Sequence, residues 1–323
     1  MDSKYWIAGL VLLATLAMPV FGQTVKVDDD IPEYSRTSGV SGSLNSIGSD
    51  TLNNLMTLWA EGFQREYPNV KIQIEGKGSS TAPPALIEGT AQIGPMSRAM
   101  KSKEIDEFET AFGYKPTKIA VAIDALAVYV NKDNPLERLT LEEVDAIFSK
   151  TLKCGHSDYV DTWGQAGLDG AWTRKPISIY GRNSASGTYG YFKKVALCKG
   201  DYRDSVKEQP GSASVVQGIT EDLGGIGYSG IGYRTSGVKT LALAKSEGSP
   251  FGTTEPADVY AGRYPLSRFL YLYVNKAPNR PADPMVEQFL RYVLAREGQE
   301  IVVKDGYLPV SKSVVDAELA KLK

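Results

Sequence analysis

The chain reads Ile177-Ser178-Ile179-Tyr180-Gly181-Arg182-Asn183-Ser184-Ala185-Ser186-Gly187-Thr188-Tyr189-Gly190, which predicts a strand, a turn and the start of a helix. The Ser-Gly-Thr step presents backbone N–H groups and two hydroxyl groups at the positive end of the helix dipole. Arg182 adds a planar guanidinium that matches two oxygens of a tetrahedral oxyanion. Taken alone, the pattern is equally typical of a capped helix beside a surface arginine.

Two more turns rich in glycine and hydroxyl groups occur nearer the N-terminus. Ile47-Gly48-Ser49-Asp50-Thr51 precedes the helix predicted from Leu52 to Phe63. Glu75-Gly76-Lys77-Gly78-Ser79-Ser80-Thr81 follows the strand predicted from Val70 to Ile74. Such turns in open α/β sheets lie at the carboxyl ends of strands, where ligands bind. The three turns together indicate a cleft for an oxyanion, although Asp50 is also a good helix N-cap residue.

The order of predicted elements indicates two lobes. Strands alternate with helices, which is typical of an α/β fold with helical crossovers. Two long apolar stretches, Ile119 to Val130 and Phe269 to Val274, each lead into Val-Asn-Lys. We expect the chain to cross between lobes at both stretches, so that two strands join them. The predicted lobe I comprises residues 44–125 and 268–323, and the predicted lobe II comprises residues 126–267.

The composition excludes several classes of protein. The chain has 323 residues, with 36 Lys and Arg against 38 Asp and Glu, a net charge of −2, one His and two Cys. Because a general nucleic-acid binder needs a basic excess, we expect no nucleic-acid partner. One imidazole and two separated thiols do not supply a zinc site, so we expect no metal and no cofactor. We also expect no enzyme: the alternative, an exported phosphate-ester hydrolase, lacks a Gly-x-Ser-x-Gly elbow, and His156 is its only imidazole base.

The N-terminus predicts export. Lys4 precedes the apolar run Trp6 to Ala14, which fades before Gly22, as in a secretory signal peptide over residues 1–22. A signal anchor is the alternative, but the apolar run is short for a membrane span. No cysteine lies near the predicted cleavage site, so we expect no lipid anchor, and no later segment predicts a membrane span. Residues 23–43 lack apolar periodicity and predict a flexible leader.

An oxidising compartment changes how the two cysteines are interpreted. Cys154 and Cys198 are the only cysteines, so they are predicted to form one disulfide with each other. A reactive thiol is the alternative. His156 lies two residues beyond Cys154 in a polar stretch, which favours a surface loop.

The three turns carry a more specific resemblance. Gly48-Ser49-Asp50-Thr51-Leu52, Gly78-Ser79-Ser80, residues 182–188 and Gly224-Gly225-Ile226-Gly227-Tyr228 resemble the periplasmic phosphate-binding proteins of phosphate ABC transporters. The resemblance implies a monomeric, two-lobed type II periplasmic binding protein with a mixed sheet in each lobe. It also implies closure on one phosphate and delivery to an inner-membrane ABC permease. The ligands implied by position are Ser79 in lobe I and Arg182, Ser186, Gly187 and Thr188 in lobe II.

One turn departs from that family. Members commonly have Gly-Ala-Ser-Asp after the second strand, with the Asp accepting the proton of hydrogen phosphate, whereas this chain has Gly94-Pro95-Met96-Ser97-Arg98. Our hypothesis is that Asp50 takes over as acceptor while Ser97 and Arg98 become donors, beside Ser49 and Thr51. In the alternative, Asp50 only caps its helix and Arg98 points to solvent.

The departure leaves other functions open. Sulfate, which has no proton to donate, and phosphonate are alternative ligands for such a site. A surface adhesin that uses the leader as its interaction segment is a third class, without specific support in the sequence.

Overall fold

The first lobe is built around two small sheets. The computed structural model describes residues 25–323, so the predicted signal peptide lies outside the described residues. The elements of this part are β1 (Gly42–Ile47), α1 (Asn53–Glu66), β2 (Val70–Glu75), α2 (Ala82–Ile87), β3 (Gly94–Met96), α3 (Ser102–Phe112) and β4 (Thr117–Ala125). Strand β1 pairs with β2 in parallel. Tyr67 follows α1 as its C-cap, and the chain then enters β2, as the sequence pattern predicts.

The second lobe carries the largest sheet. Its elements are β5 (Ala127–Asn131), β6 (Arg138–Thr140), α4 (Leu141–Phe148), β7 (Ser178–Arg182), α5 (Gly187–Val195), β8 (Lys207–Gln209), α6 (Ser212–Glu221), β9 (Gly225–Ser229), β10 (Val238–Thr240), β11 (Ala242–Ala244) and α7 (Pro256–Tyr260). The sheet order is β10-β5-β9-β7-β8. Strand β7 runs parallel to β8 and β9, whereas β5 runs antiparallel to β9. The sheet is therefore mixed, as predicted.

The chain then returns to the first lobe. Strand β12 (Ser267–Val274) is followed by α8 (Pro284–Leu294), α9 (Arg296–Lys304) and α10 (Lys312–Ala320). Strand β12 lies between β3 and β4 and is antiparallel to both. The predicted continuous stretch from 119 to 130 is divided at Leu126: β4 ends before it in one sheet, and β5 begins after it in another.

Each lobe has its own hydrophobic core. Trp59, Phe63 and Phe289 are fully buried in the first lobe, and Phe148 and Trp163 are fully buried in the second. Separate cores let each lobe move as a unit about the connecting strands. The structure confirms the predicted two-lobed α/β fold. Within residues 25–323, no helix has both the length and the apolar character that a membrane crossing requires.

The sequence predicts a flexible leader, whereas the structure shows its described part attached to the first lobe. Ile31 is fully buried against the first lobe, and the Tyr34 hydroxyl lies 2.7 Å from that of Tyr67. The Lys312 N–H donates to Asp28 over 2.9 Å. The described part of the leader, from residue 25, is therefore an irregular strap held on lobe I. A few apolar side chains anchor it, although their spacing has no helical or strand period.

The two cysteines form the predicted disulfide. Cys154 lies after α4 and Cys198 lies just beyond α5, with Cα atoms 5.3 Å apart. The bridge ties two loops of the second lobe together. His156 lies in the adjoining loop, where its Nδ1 is 2.7 Å from the carbonyl of Asp158.

Candidate functional site

Hydroxyl groups from both lobes meet in the cleft. We call Thr51, Ser79, Ser97 and Thr188 the hydroxyl cluster; each is at most 1% exposed. The Oγ1 atoms of Thr51 and Thr188 are 2.8 Å apart, and the Oγ atoms of Ser79 and Ser97 are 3.3 Å apart. Because Thr188 belongs to the second lobe and the other three to the first, the cluster spans the cleft.

The amino end of α5 points into this cluster. Ser186 caps the helix, and its Oγ accepts from the N–H groups of Thr188 and Tyr189 over 3.1 and 3.4 Å. A Cβ atom on Gly187 would lie 2.2 Å from Ser79 Oγ and 2.6 Å from Ser97 Oγ. Only glycine lets the helix end approach the first lobe this closely. The positive end of the α5 dipole is thereby placed among hydroxyl donors, which favours an anion.

The second predicted turn also touches the opposite lobe. The Ser80 N–H donates to the carbonyl of Ala185 over 3.1 Å. Gly78 has φ of +108°, and a Cβ atom there would lie 2.6 Å from the same carbonyl oxygen. The turns at residues 75–81 and 182–188, which are distant in sequence, are therefore in direct contact across the cleft.

Arg182 lies at the end of β7 and is 1% exposed. Its Nη1 donates to Ser212 Oγ over 2.6 Å, and its Nη2 donates to the carbonyl of Pro210 over 3.1 Å. Its buried Nε has no hydrogen-bond partner among residues 25–323. Burial lowers the pKa of Arg182, and Asp50 opposes that effect. An arginine stays protonated at neutral pH, so the site holds a buried cation.

Asp50 reaches across the cleft. Its Oδ2 accepts from Ser212 N–H and Ser212 Oγ, both over 2.8 Å, and lies 3.0 Å from Arg182 Nη1. Ser212 is the first residue of α6, which has no side-chain cap at Gly211. Asp50 therefore caps a helix of the opposite lobe, which the alternative of capping its own helix did not foresee. Its role as proton acceptor stays a prediction.

Arg98 is placed differently from either sequence interpretation. It is 8% exposed, and its two terminal nitrogens each donate to Glu104 over 2.7 Å. The alternative that it points to solvent is therefore wrong. Its Nη2 also donates to Ser80 Oγ over 3.2 Å, so it reaches the second turn. The structure brings it beside the hydroxyl cluster but engages its donors with protein groups.

Sequence reasoning missed Arg268 and Asp124. Arg268 Nη2 donates to Thr188 Oγ1 over 2.9 Å and to Asp124 Oδ2 over 2.8 Å. Asp124 is fully buried, and the two residues pair directly across β4 and β12. Asp124 within the first apolar stretch and Arg268 directly before the second were the available signals, but neither belongs to a glycine-rich turn.

The predicted site residues are therefore brought together at one place. Ser49 is 3% exposed, and its N–H donates to the carbonyl of Pro95 over 2.8 Å, which joins the first turn to the Ser97 turn.

A model of the PBP superfamily domain matches residues 35–297. The phosphate-binding protein PstS of Pseudomonas aeruginosa is 60% identical over 296 residues, which are 92% of each chain. The chain belongs to the PstS family of the PBP superfamily.

Solved structures agree with membership of the PstS family. A substrate-binding protein assigned to a phosphate ABC transporter of Clostridium perfringens, solved with bound phosphate, is 25% identical with a TM-score of 0.68. It covers 84% of this chain and 100% of its own. An ABC-type phosphate transport receptor from Vibrio cholerae, 20% identical with a TM-score of 0.62, shares the fold over 83% of this chain and 100% of its own.

Proposed function

We propose that this PstS family member binds inorganic phosphate between its lobes and delivers it to an inner-membrane ABC permease. One observation carries the proposal: Arg182, the amino end of α5 and the hydroxyl cluster are buried together at the junction of the lobes. These groups are the donors that a tetrahedral oxyanion needs. The similarity to a PstS phosphate-binding protein and to a phosphate-bound substrate-binding protein supports phosphate as that oxyanion.

The proposed mechanism is closure without covalent chemistry. Ser49, Thr51, Ser79 and Ser97 supply donors from lobe I, and Arg182, Ser186, Gly187 and Thr188 supply donors from lobe II. Because an anion held between them contacts both lobes only when the cleft is closed, binding shifts the population toward the closed form. The permease then contacts the closed form, which is populated mainly when phosphate is bound. We assign residues 44–125 and 268–323 to lobe I and residues 126–267 to lobe II.

Selectivity for phosphate needs an acceptor as well as donors. Hydrogen phosphate can donate a proton to a carboxylate, whereas sulfate cannot. Ser97 stands where the family commonly has Asp, so that position supplies no carboxylate here. Asp50 lies beside Arg182 and can supply one instead. We propose Asp50 as that acceptor. Phosphonate and sulfate are the competing ligands.

Titration calorimetry tests the proposed ligand. Wild-type protein, dialysed free of phosphate, is titrated with phosphate, sulfate and methylphosphonate. We expect one phosphate per chain and much weaker sulfate binding. Arg182→Gln should weaken phosphate binding about 100-fold or more, because several hydrogen bonds to a charged group are lost. Arg263→Gln is the matched control, since Arg263 pairs with Asp258 at the surface. Equal binding of phosphate and sulfate, or an unaffected Arg182→Gln, would contradict the proposal.

The proposed location is the periplasm. Residues 1–22 have the charged, apolar and small-residue order of a signal peptide. Mass spectrometry of the exported protein should give a mature chain that begins close to Gln23. A chain that retains Met1 in the membrane fraction would indicate a signal anchor instead.

A further inference from the structure

Arg268 lies one hydrogen bond from the hydroxyl cluster. It stands on β12, its side chain is 3% exposed, and its Nη2 donates to Thr188 Oγ1 over 2.9 Å. The ion pair with Asp124 is therefore continuous with the site and is not a separate feature of the sheet.

Covalent geometry sets the direction of the remaining donor. Arg268 Nε and Nη2 both donate to Asp124 Oδ2, over 3.0 and 2.8 Å, so this edge of the guanidinium faces the carboxylate. The other hydrogen of Nη2 points along the adjacent edge, which is formed by the two terminal nitrogens, and meets Thr188 there. Because the guanidinium is planar, Nη1 directs a hydrogen parallel to it along that same edge. Nη2 thus donates to Thr188, and the parallel N–H of Nη1 is directed to the same side of the guanidinium.

Each arginine of the site keeps one buried donor. Arg268 Nη1 and Arg182 Nε are both buried and have no hydrogen-bond partner among residues 25–323. Each arginine also pairs with one aspartate, Asp124 and Asp50 respectively. Buried donors of a charged group are normally satisfied, because an unsatisfied one is costly. Repulsion from Arg268 contributes to the lowered pKa of Arg182, which places the two cations within electrostatic reach of each other.

We propose that Arg268 is a second guanidinium of the anion site, which donates through Nη1 to the same tetrahedral dianion as Arg182. The inference rests on the proposed function and adds a further ligand residue to it. A dianion between two arginines gains charge-assisted hydrogen bonds from both. Thr188 then acts at once as a ligand and as the residue that orients Arg268.

The test separates a ligand role from a purely structural ion pair. Arg268→Gln alone would leave Asp124 buried without its counter-charge, which is strongly destabilising. The double variant Arg268→Gln/Asp124→Asn removes both charges. Asp124→Asn alone retains the guanidinium, whose hydrogen bonds the amide oxygen can still accept and whose charge the bound dianion offsets. Phosphate affinity by calorimetry should fall about 10- to 100-fold in the double variant and stay close to wild type in Asp124→Asn, given the strength of one or two charged hydrogen bonds.

Each outcome decides the inference. A double variant that binds phosphate as tightly as Asp124→Asn overturns it, and so does an Asp124→Asn that loses as much affinity as the double variant. A wild-type protein that binds no phosphate overturns the proposed function, and this inference with it. In a crystal structure with phosphate, Arg268 Nη1 should lie within hydrogen-bond distance of a phosphate oxygen, and a guanidinium bonded only to protein would contradict the inference.

Discussion

Asp50 of the first lobe and Arg182 of the second form an ion pair across the cleft, with Oδ2 and Nη1 3.0 Å apart. The same oxygen accepts two hydrogen bonds from Ser212, so three donors of the second lobe converge on one atom of the first. The pair links cleft closure to the arginine that we propose as the principal anion ligand.

Replacing Asp50 by Asn should weaken phosphate binding about 10-fold, because one charge-assisted interaction becomes a neutral one. It should also reduce the phosphate/sulfate affinity ratio. Oδ2 accepts both hydrogen bonds from Ser212 and pairs with Arg182, so Oδ1 is left to accept the phosphate proton. Calorimetry with both anions measures the ratio. Asp133→Asn, which removes a surface carboxylate paired with Lys132, is the control. An equal loss of affinity for both anions would mean that Asp50 only stabilises the contact between the lobes.

Gly187→Ala should obstruct closure without unfolding either lobe. The new Cβ would meet Ser79 and Ser97 Oγ atoms of the opposite lobe, and such overpacking costs about 1–3 kcal/mol, or about 5- to 150-fold in affinity. Gly190→Ala in the same helix is a matched control, since its Cβ would meet Arg98 Cδ at an ordinary 3.6 Å. Small-angle scattering should show phosphate-induced compaction in Gly190→Ala and a smaller one in Gly187→Ala. Identical compaction would argue against this contact between lobes.

Removing the disulfide should destabilise the second lobe. The bridge closes a loop with a sequence separation of 44, for which the chain-entropy model predicts about 4 kcal/mol. Urea unfolding of Cys154→Ala/Cys198→Ala, compared with the oxidised wild type, measures the change. Phosphate affinity of the folded variant should be retained, because the bridge lies beyond the carboxyl end of α5 and the hydroxyl cluster lies at its amino end. Unchanged unfolding would mean that the loops are held by packing alone.

Asp305 should make stability depend on pH. Burial raises the pKa of Asp305 to about 7. Between its ordinary pKa of 3.8 and about 7 the folded state holds more protons than the unfolded state, so the free energy of unfolding falls as pH rises through this window. Asp305→Asn should therefore match the wild type near the low end and be more stable above the window. Urea unfolding at several pH values tests this, with surface Asp316→Asn as control. A variant less stable than the wild type above the window would contradict the assignment.

The three turns rich in glycine and hydroxyl groups were predictable because each is a contiguous stretch. Glycine, serine and threonine beside a strand end carry their own conformational and donor properties, so Ser79, Ser186 and Thr188 could be identified locally as candidate ligands. Arg268 and Asp124 could not, because each is an isolated charge in a mainly apolar strand and acquires its role only when β4 and β12 pair. Ser212 was missed for the same reason: its partner Asp50 lies 162 positions away.

The strap shows the converse limit. Residues 25–41 have too few apolar side chains to show a period, and the sequence pattern was that of a flexible segment. Ile31 is nevertheless fully buried in the hydrophobic core of the first lobe. Burial of Val27 and Ile31 and hydrogen bonds such as that of Tyr34 hold a segment without regular structure. The composition of the segment predicts only its lack of regular structure. Its attachment depends on the surface of the first lobe, which the segment's own sequence does not describe.

The placement of β12 determines the order in which the molecule can assemble. The second lobe is one continuous segment, whereas the first lobe needs a strand from near the end of the chain to fill the space between β3 and β4. Since synthesis proceeds from the N-terminus, the second lobe can fold while the first still lacks its central strand. Arg268 arrives on that same strand. A chain that ends before β12 can thus hold the elements of the second lobe, but the proposed anion site is incomplete until the last fifth of the polypeptide has been made.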